Sequence, residues 1–254
     1  RADLTFGQLF PNDVEKIKRA TLPGTPSYFQ KDYKTNKLTF GDSHAISAWL
    51  EGSKCSRNDG LTLNGAINRG FDTFIDEMEM TEINTLRFYL GNIDVRHHLC
   101  RLFPDVNEAC IEAEQLARNY VHEVLRIKNQ YNVKHVGIVE LLPIEHECRR
   151  LPKTGNYKGQ PFWGSAEERM LVRNAFNDKV TNLQEIYGGF SIIRWPEEYT
   201  YQEETTVPLD KLSGVFKTYP EKEITFKPGM LRFAVMEKPH SVHIAPTYYL
   251  WSVT

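Results

Sequence analysis

Three short stretches place side chains capable of acyl chemistry where regular structure should end. "KLTFGDSHAISAW", residues 37–49, sets Gly41, Asp42, Ser43 and His44 directly behind a run suited to a strand. Ser43 has two readings there: a cap for a following helix, or a nucleophile. A free hydroxyl is a poor nucleophile at neutral pH. The second reading therefore requires a base for its proton and donors for the oxyanion that forms on an acyl carbonyl. "GNIDVRHH", residues 91–98, brings Asn92, Asp94 and Arg96 behind a second apolar run, and "EKPHSVHIAP", residues 237–246, brings His240 and His243.

The elements around these stretches predict how they meet. Strands are expected at "KLTF" (37–40), "TLRFYLG" (85–91), "VKHVGIVELLP" (133–143) and "FSIIRW" (190–195). Helices are expected over about 44–50, over 104–132 with Asp105 and Glu108 as a capping box, and from the Ser165/Glu168 box to Gly188-Gly189. Residues 51–60 read as a loop by composition. Strands alternating with helices imply an α/β fold with a mostly parallel sheet covered on both faces. Ligands in such sheets sit at the carboxyl ends of the strands, where all three stretches fall. Residues 1–36 read as an extension packed on one domain spanning 37–254, and 197–230 as a peripheral insertion or hairpin.

Composition narrows the function classes. The 254 residues are 41% hydrophobic and 25% charged, and 31 Lys and Arg nearly balance 33 Asp and Glu. A net charge of -2 argues against a polyanion-binding surface, so nucleic acid is not an expected partner. No apolar run approaches the ~20 residues that span a bilayer, and no signal peptide is visible. Cys55, Cys100, Cys110 and Cys148 are widely spaced with no C-x-x-C pair, which fits free thiols in a reducing compartment and a cytoplasmic location. His44, His97 and His98 invite a metal reading, but no carboxylate–histidine pair stands at i, i+4. No metal and no cofactor is expected.

Taken together, "GDSH" before a helix, the Gly-Asn turn after a middle strand and the late "SVHIAP" resemble the SGNH (GDSL-type) hydrolases over about residues 37–252. "GNIDVRHH" is similar to a pattern in SGNH-like proteins near polysaccharide loci. The resemblance implies a flavodoxin-like three-layer α/β/α domain. It implies Ser43 as nucleophile, with its own N–H in the oxyanion hole, Asn92 as a side-chain donor to the oxyanion, and His243 as general base. The family's glycine falls in "LNGAINRG", as Gly65 or Gly70, with Gly65 preferred because the Asn-Gly-Ala turn offers a small residue whose N–H can face a ligand.

Two positions depart from the family pattern. Where the family usually has an Asp three residues before its histidine, this chain has His240. Where family members often show Gly-x-Asn-Asp, Asn92 follows Gly91 at once, which leaves open whether Asn92 or Asp94 faces the site. Either His240 or a backbone carbonyl orients His243, the carbonyl being preferred. Asp42 reads as a brace for the serine turn, and Asp94 with Arg96 as an ion pair behind the loop. Tyr157, Phe162 and Trp163, in the Gly-rich stretch 152–165, either stack on a sugar face or belong to a self-packed surface loop. The expected function is a serine esterase acting on an O-acyl ester of a small molecule or carbohydrate. The alternatives are an acyltransferase using the same residues and a non-catalytic carbohydrate-recognition domain.

Overall fold

The computed structural model describes residues 35–50, 53–75, 81–146, 158–160, 162–208, 222–232, 235 and 243–244. Five strands form one wholly parallel sheet: β1 (Lys37–Gly41), β2 (Lys54–Arg57), β3 (Thr85–Tyr89), β4 (His135–Val139) and β5 (Ser191–Ile193). Their order is β2-β1-β3-β4-β5, the flavodoxin-like order. Helices flank the sheet: α1 (Leu63–Arg69), a helical segment α2 over 92–102, α3 (Val106–Gln130) and α4 (Ala166–Tyr187). A separate antiparallel pair, β6 (Thr205–Pro208) and β7 (Glu223–Phe226), lies within the stretch expected to be peripheral.

Side-chain alternation divides the core between the two faces. Leu38 and Phe40, Leu86 and Phe88, Val136 and Ile138 point to one face, where they pack with Tyr120, Val121, Val124, Phe176 and Val180 of α3 and α4. Tyr89 and Val139 point to the other, against Ala48, Leu142, Trp195, Tyr199 and Ile244. Phe40, Phe71, Phe88 and Tyr120 meet at tilted or edge-on angles with centroids 5.3–6.5 Å apart.

Several elements differ from the sequence expectation. Residues 51–60 hold strand β2, whose polar sequence KCSR carries no apolar alternation; among the described residues it pairs on one side only, with β1. The expected helix at 44–50 is a 3-10 turn, Ala45–Ala48, all of it buried. It closes because Ala45 N–H bonds back to Asp42 O, and the chain leaves it extended at Trp49. "LNGAINRG" is the helix α1, capped by Thr62. Ser165 and Glu168 form the reciprocal box, whereas Asp105 caps α3 from its own side, accepting from Asn107 and Glu108 N–H.

Candidate functional site

The site grows from the end of β1. Gly41 lies beside Tyr89 of β3, and a Cβ there would overlap the Tyr89 carbonyl oxygen. Only glycine lets the two strands end this close, and Asp42 N–H then bonds Tyr89 O at 3.3 Å. Beyond this point the chain turns sharply, burying Asp42 and His44 and leaving Ser43 partly accessible between them. The Asp42 carboxylate accepts from His44 N–H at 2.8 Å and lies 2.8 Å from His44 Nδ1 through the same oxygen.

Arg96 fixes the histidine tautomer. Its Nη1 lies 3.1 Å from His44 Nε2, and an arginine only donates, so Nε2 is the acceptor and the proton sits on Nδ1, facing Asp42. Arg96 Nε–H in turn donates to Glu145 Oε1 at 2.6 Å. Asp42, His44, Arg96 and Glu145 thus form one buried chain, with each side chain at most 4% exposed. Three elements supply it: the turn after β1, α2 after β3, and the segment after β4.

His243 completes the geometry. Its Nε2 lies 3.1 Å from Ser43 Oγ across 200 residues of sequence, and its ring stands edge-on to His44 with centroids 4.8 Å apart. Burial, foremost, then the repulsion that a proton on His44 would exert and the fields of Arg57 and Arg96, push the His243 pKa well below the usual imidazole value, while Asp42 opposes the shift. The ring facing Ser43 is therefore neutral at neutral pH and able to accept a proton. Burial raises Asp42 to about 6, against the His44 N–H bond and the charges of Arg96, His243 and Arg57.

Asn92 opens α2, behind Gly91, whose φ of 113° and crowding by Leu141 require glycine. Its Oδ1 accepts from Leu142 N–H at 3.0 Å, which orients the amide. Its Nδ2 is buried and makes no well-formed hydrogen bond among the described residues, its amide lying near the Tyr89 phenol. Burial, foremost, pushes the neighbouring Tyr89 phenol far up; Asp42 adds to this, and Arg96 and the Asn92 amide oppose it.

Asp94 faces elsewhere. It accepts from Leu63 N–H at 2.7 Å and Asn64 N–H at 3.2 Å, holding the start of α1, and burial raises its pKa to about 6. The expected Asp94–Arg96 ion pair is thus replaced by two separate duties, because Asp94 meets the positive end of α1 while Arg96 turns to Glu145. The Gly65 expectation is also corrected. Its N–H donates to Thr62 Oγ1 at 3.0 Å inside the first turn of α1, and Gly70 N–H bonds Ile67 O, so neither amide faces a ligand. His240, Tyr157 and Cys148 lie outside the described residues.

Phe162 packs under the Arg169 and Arg96 guanidiniums at 5.0 and 5.9 Å and meets His97 edge-on, which removes it from the expected sugar-stacking role. Trp163 is 41% exposed. Among the described residues no group of three His, Cys, Asp or Glu is arranged to hold a metal ion. Glu145 and Leu142 were not singled out from sequence. The one available signal was an acid in an otherwise apolar run, "LLPIE", after the most apolar strand.

No family model matches the chain, and no curated protein matches it. Among solved structures it is similar to a Streptococcus pneumonia protein provisionally named a platelet activating factor, at 15% identity and a TM-score of 0.45, covering 89% of this chain and 87% of that one. It is also similar to phospholipase A1 from Streptomyces albidoflavus NA297, at 12% identity and a TM-score of 0.35, covering 61% of this chain and 77% of that one.

Proposed function

We propose that the protein is a serine ester hydrolase of SGNH type, with Ser43 as nucleophile and His243 as base. The observation that carries this reading is the 3.1 Å contact between Ser43 Oγ and His243 Nε2 at the carboxyl edge of a parallel sheet. In this reading Ser43 Oγ bonds to the acyl carbon, its proton passes to His243 Nε2, and the carbonyl electron pair moves to oxygen. His243 then protonates the leaving alkoxide, and water repeats the sequence on the acyl-enzyme. Two donors suit the oxyanion: Ser43 N–H, which makes no hydrogen bond among the described residues, and Asn92 Nδ2. An O-acyl carbohydrate is the favoured substrate, resting on the sequence resemblance and on the exposed Trp163 ring.

A fluorophosphonate probe and a small chromogenic acyl ester test the reading. Wild-type protein is expected to be labelled at Ser43 and to turn over the ester, and Ser43→Ala and His243→Ala are expected to lose both. Folded wild-type protein that is never labelled would instead support a recognition domain on the same fold.

A further inference from the structure

The missing acid before His243 raises the question of what steadies the imidazolium that forms when Ser43 gives up its proton. We propose that Asp42, the residue before the nucleophile, is the positioning carboxylate of this site, supplying through His44 and across space the negative charge that balances protonated His243. The inference rests on the esterase reading and adds to it the source of the charge.

Charge placement carries the argument. The groups whose fields reach Asp42 are Arg96 from α2, Arg57 at the end of β2, and His243. Arg96 is matched by Glu145 at 2.6 Å, and Arg57 by Asp59, so both cations already have a carboxylate of their own. His44 is held neutral between Asp42 and Arg96. Asp94, Tyr89 and Tyr120 also feel Asp42, but Asp94 is satisfied by the amides of α1 and both phenols stay protonated. Among the described residues the ionised Asp42 is therefore a buried carboxylate that no lysine or arginine pairs directly, and one of its oxygens has no hydrogen-bond partner there.

A lone buried charge is costly, and it favours any step that creates the opposite charge nearby. Proton transfer from Ser43 Oγ to His243 Nε2 is such a step. It leaves the imidazolium edge-on to His44, the ring bonded to Asp42. Asp42 is also the carboxylate that opposes the downward shift of His243.

The test is the rate of Ser43 labelling by a fluorophosphonate between pH 4.5 and 8, in wild type, Asp42→Asn and Asp94→Asn. Asparagine keeps an oxygen for both His44 contacts and removes only the charge. Asp42→Asn is expected to label about 100-fold more slowly at pH 8, the effect of one unit charge at intermediate dielectric. Wild type is expected to fall by a similar factor through one transition near pH 6, as Asp42 protonates. Asp42→Asn should lack that transition. Asp94→Asn should retain it, although Asp94 titrates in the same range. An Asp42→Asn rate within about threefold of wild type, a flat wild-type profile, or a transition lost in Asp94→Asn each overturns the inference. If Asp42→Asn does not fold, the wild-type and Asp94→Asn profiles decide. Absence of wild-type labelling at pH 8 fails the esterase reading itself.

Discussion

Replacing Glu145 by glutamine isolates the buried pair that anchors the site. Arg96 is 3% exposed and Glu145 1%, and their contact is 2.6 Å. Removing one partner of such a pair typically costs about 3–5 kcal/mol, because the remaining charge stays buried without compensation. Glutamine preserves the shape and one acceptor oxygen, so the lower end, about 3 kcal/mol, is expected. A pair at the surface would lose no more than about 1 kcal/mol. Urea unfolding at pH 7 measures the difference directly, with an unchanged slope showing that the unfolded state is the same.

A double-mutant cycle sharpens this prediction. Arg96→Met removes the cation and leaves His44 Nε2 without its donor, so it is destabilising on its own. Arg96→Met with Glu145→Leu removes both charges, and its loss should be at least about 2 kcal/mol smaller than the sum of the single changes. Additive losses, or a Glu145→Gln loss below about 1 kcal/mol, would show that Arg96 is compensated by other groups. The linked chain from Asp42 to Glu145 would then not act as a unit.

Asn92→Ala is expected to lower ester turnover by about two to three orders of magnitude with little change in KM, and to cost about 1–3 kcal/mol through the orphaned Leu142 N–H. A turnover loss that follows the melting temperature alone would assign Asn92 to holding its turn. Asp94 gives a pH prediction for stability. Its folded pKa, about 6, lies above the ordinary carboxylate value of 3.8, so the folded state holds the proton more tightly than the unfolded chain. Its contribution is full below pH 3.8 and is lost as pH rises through 6, by roughly 3 kcal/mol. The stability of Asp94→Asn relative to wild type should therefore rise between pH 4 and 7 in urea unfolding, and a constant difference refutes the assignment.

The sequence was legible where one strong local signal set the structure. The run in "VKHVGIVELLP" marks β4 because a strand buried on both faces has no polar alternation to dilute it, though pairing ends at Val139. Ser165 and Glu168 announce α4 because both halves of the box lie within one turn. β2 was hidden because "KCSR" is polar, and its burial comes from tertiary cover and one neighbouring strand. In "LNGAINRG" the glycine suggested a turn, yet Thr62 Oγ1 and the Asp94 carboxylate satisfy three amides at its start, which makes a helix possible there. The Arg96–Glu145 pair spans 49 positions, and no local spacing encodes it.

A histidine, His240, in place of an acid three residues before His243 has a physical consequence. An acid beside the histidine requires the C-terminal segment to position both a ring and a charge. With the charge on Asp42, that segment needs to deliver one ring, His243. Asp42 and Ser43 are joined by a single peptide bond and held by the Gly41–Tyr89 approach and the His44 bonds. Their relative geometry is set by the first turn after β1 and by Arg96, both rooted in the central strands β1 and β3. The electrostatics of such a site depend on the sheet rather than on a distant loop. Substitutions in the Asp42–His44–Arg96–Glu145 chain should therefore slow the reaction of Ser43 although none of these side chains takes its proton.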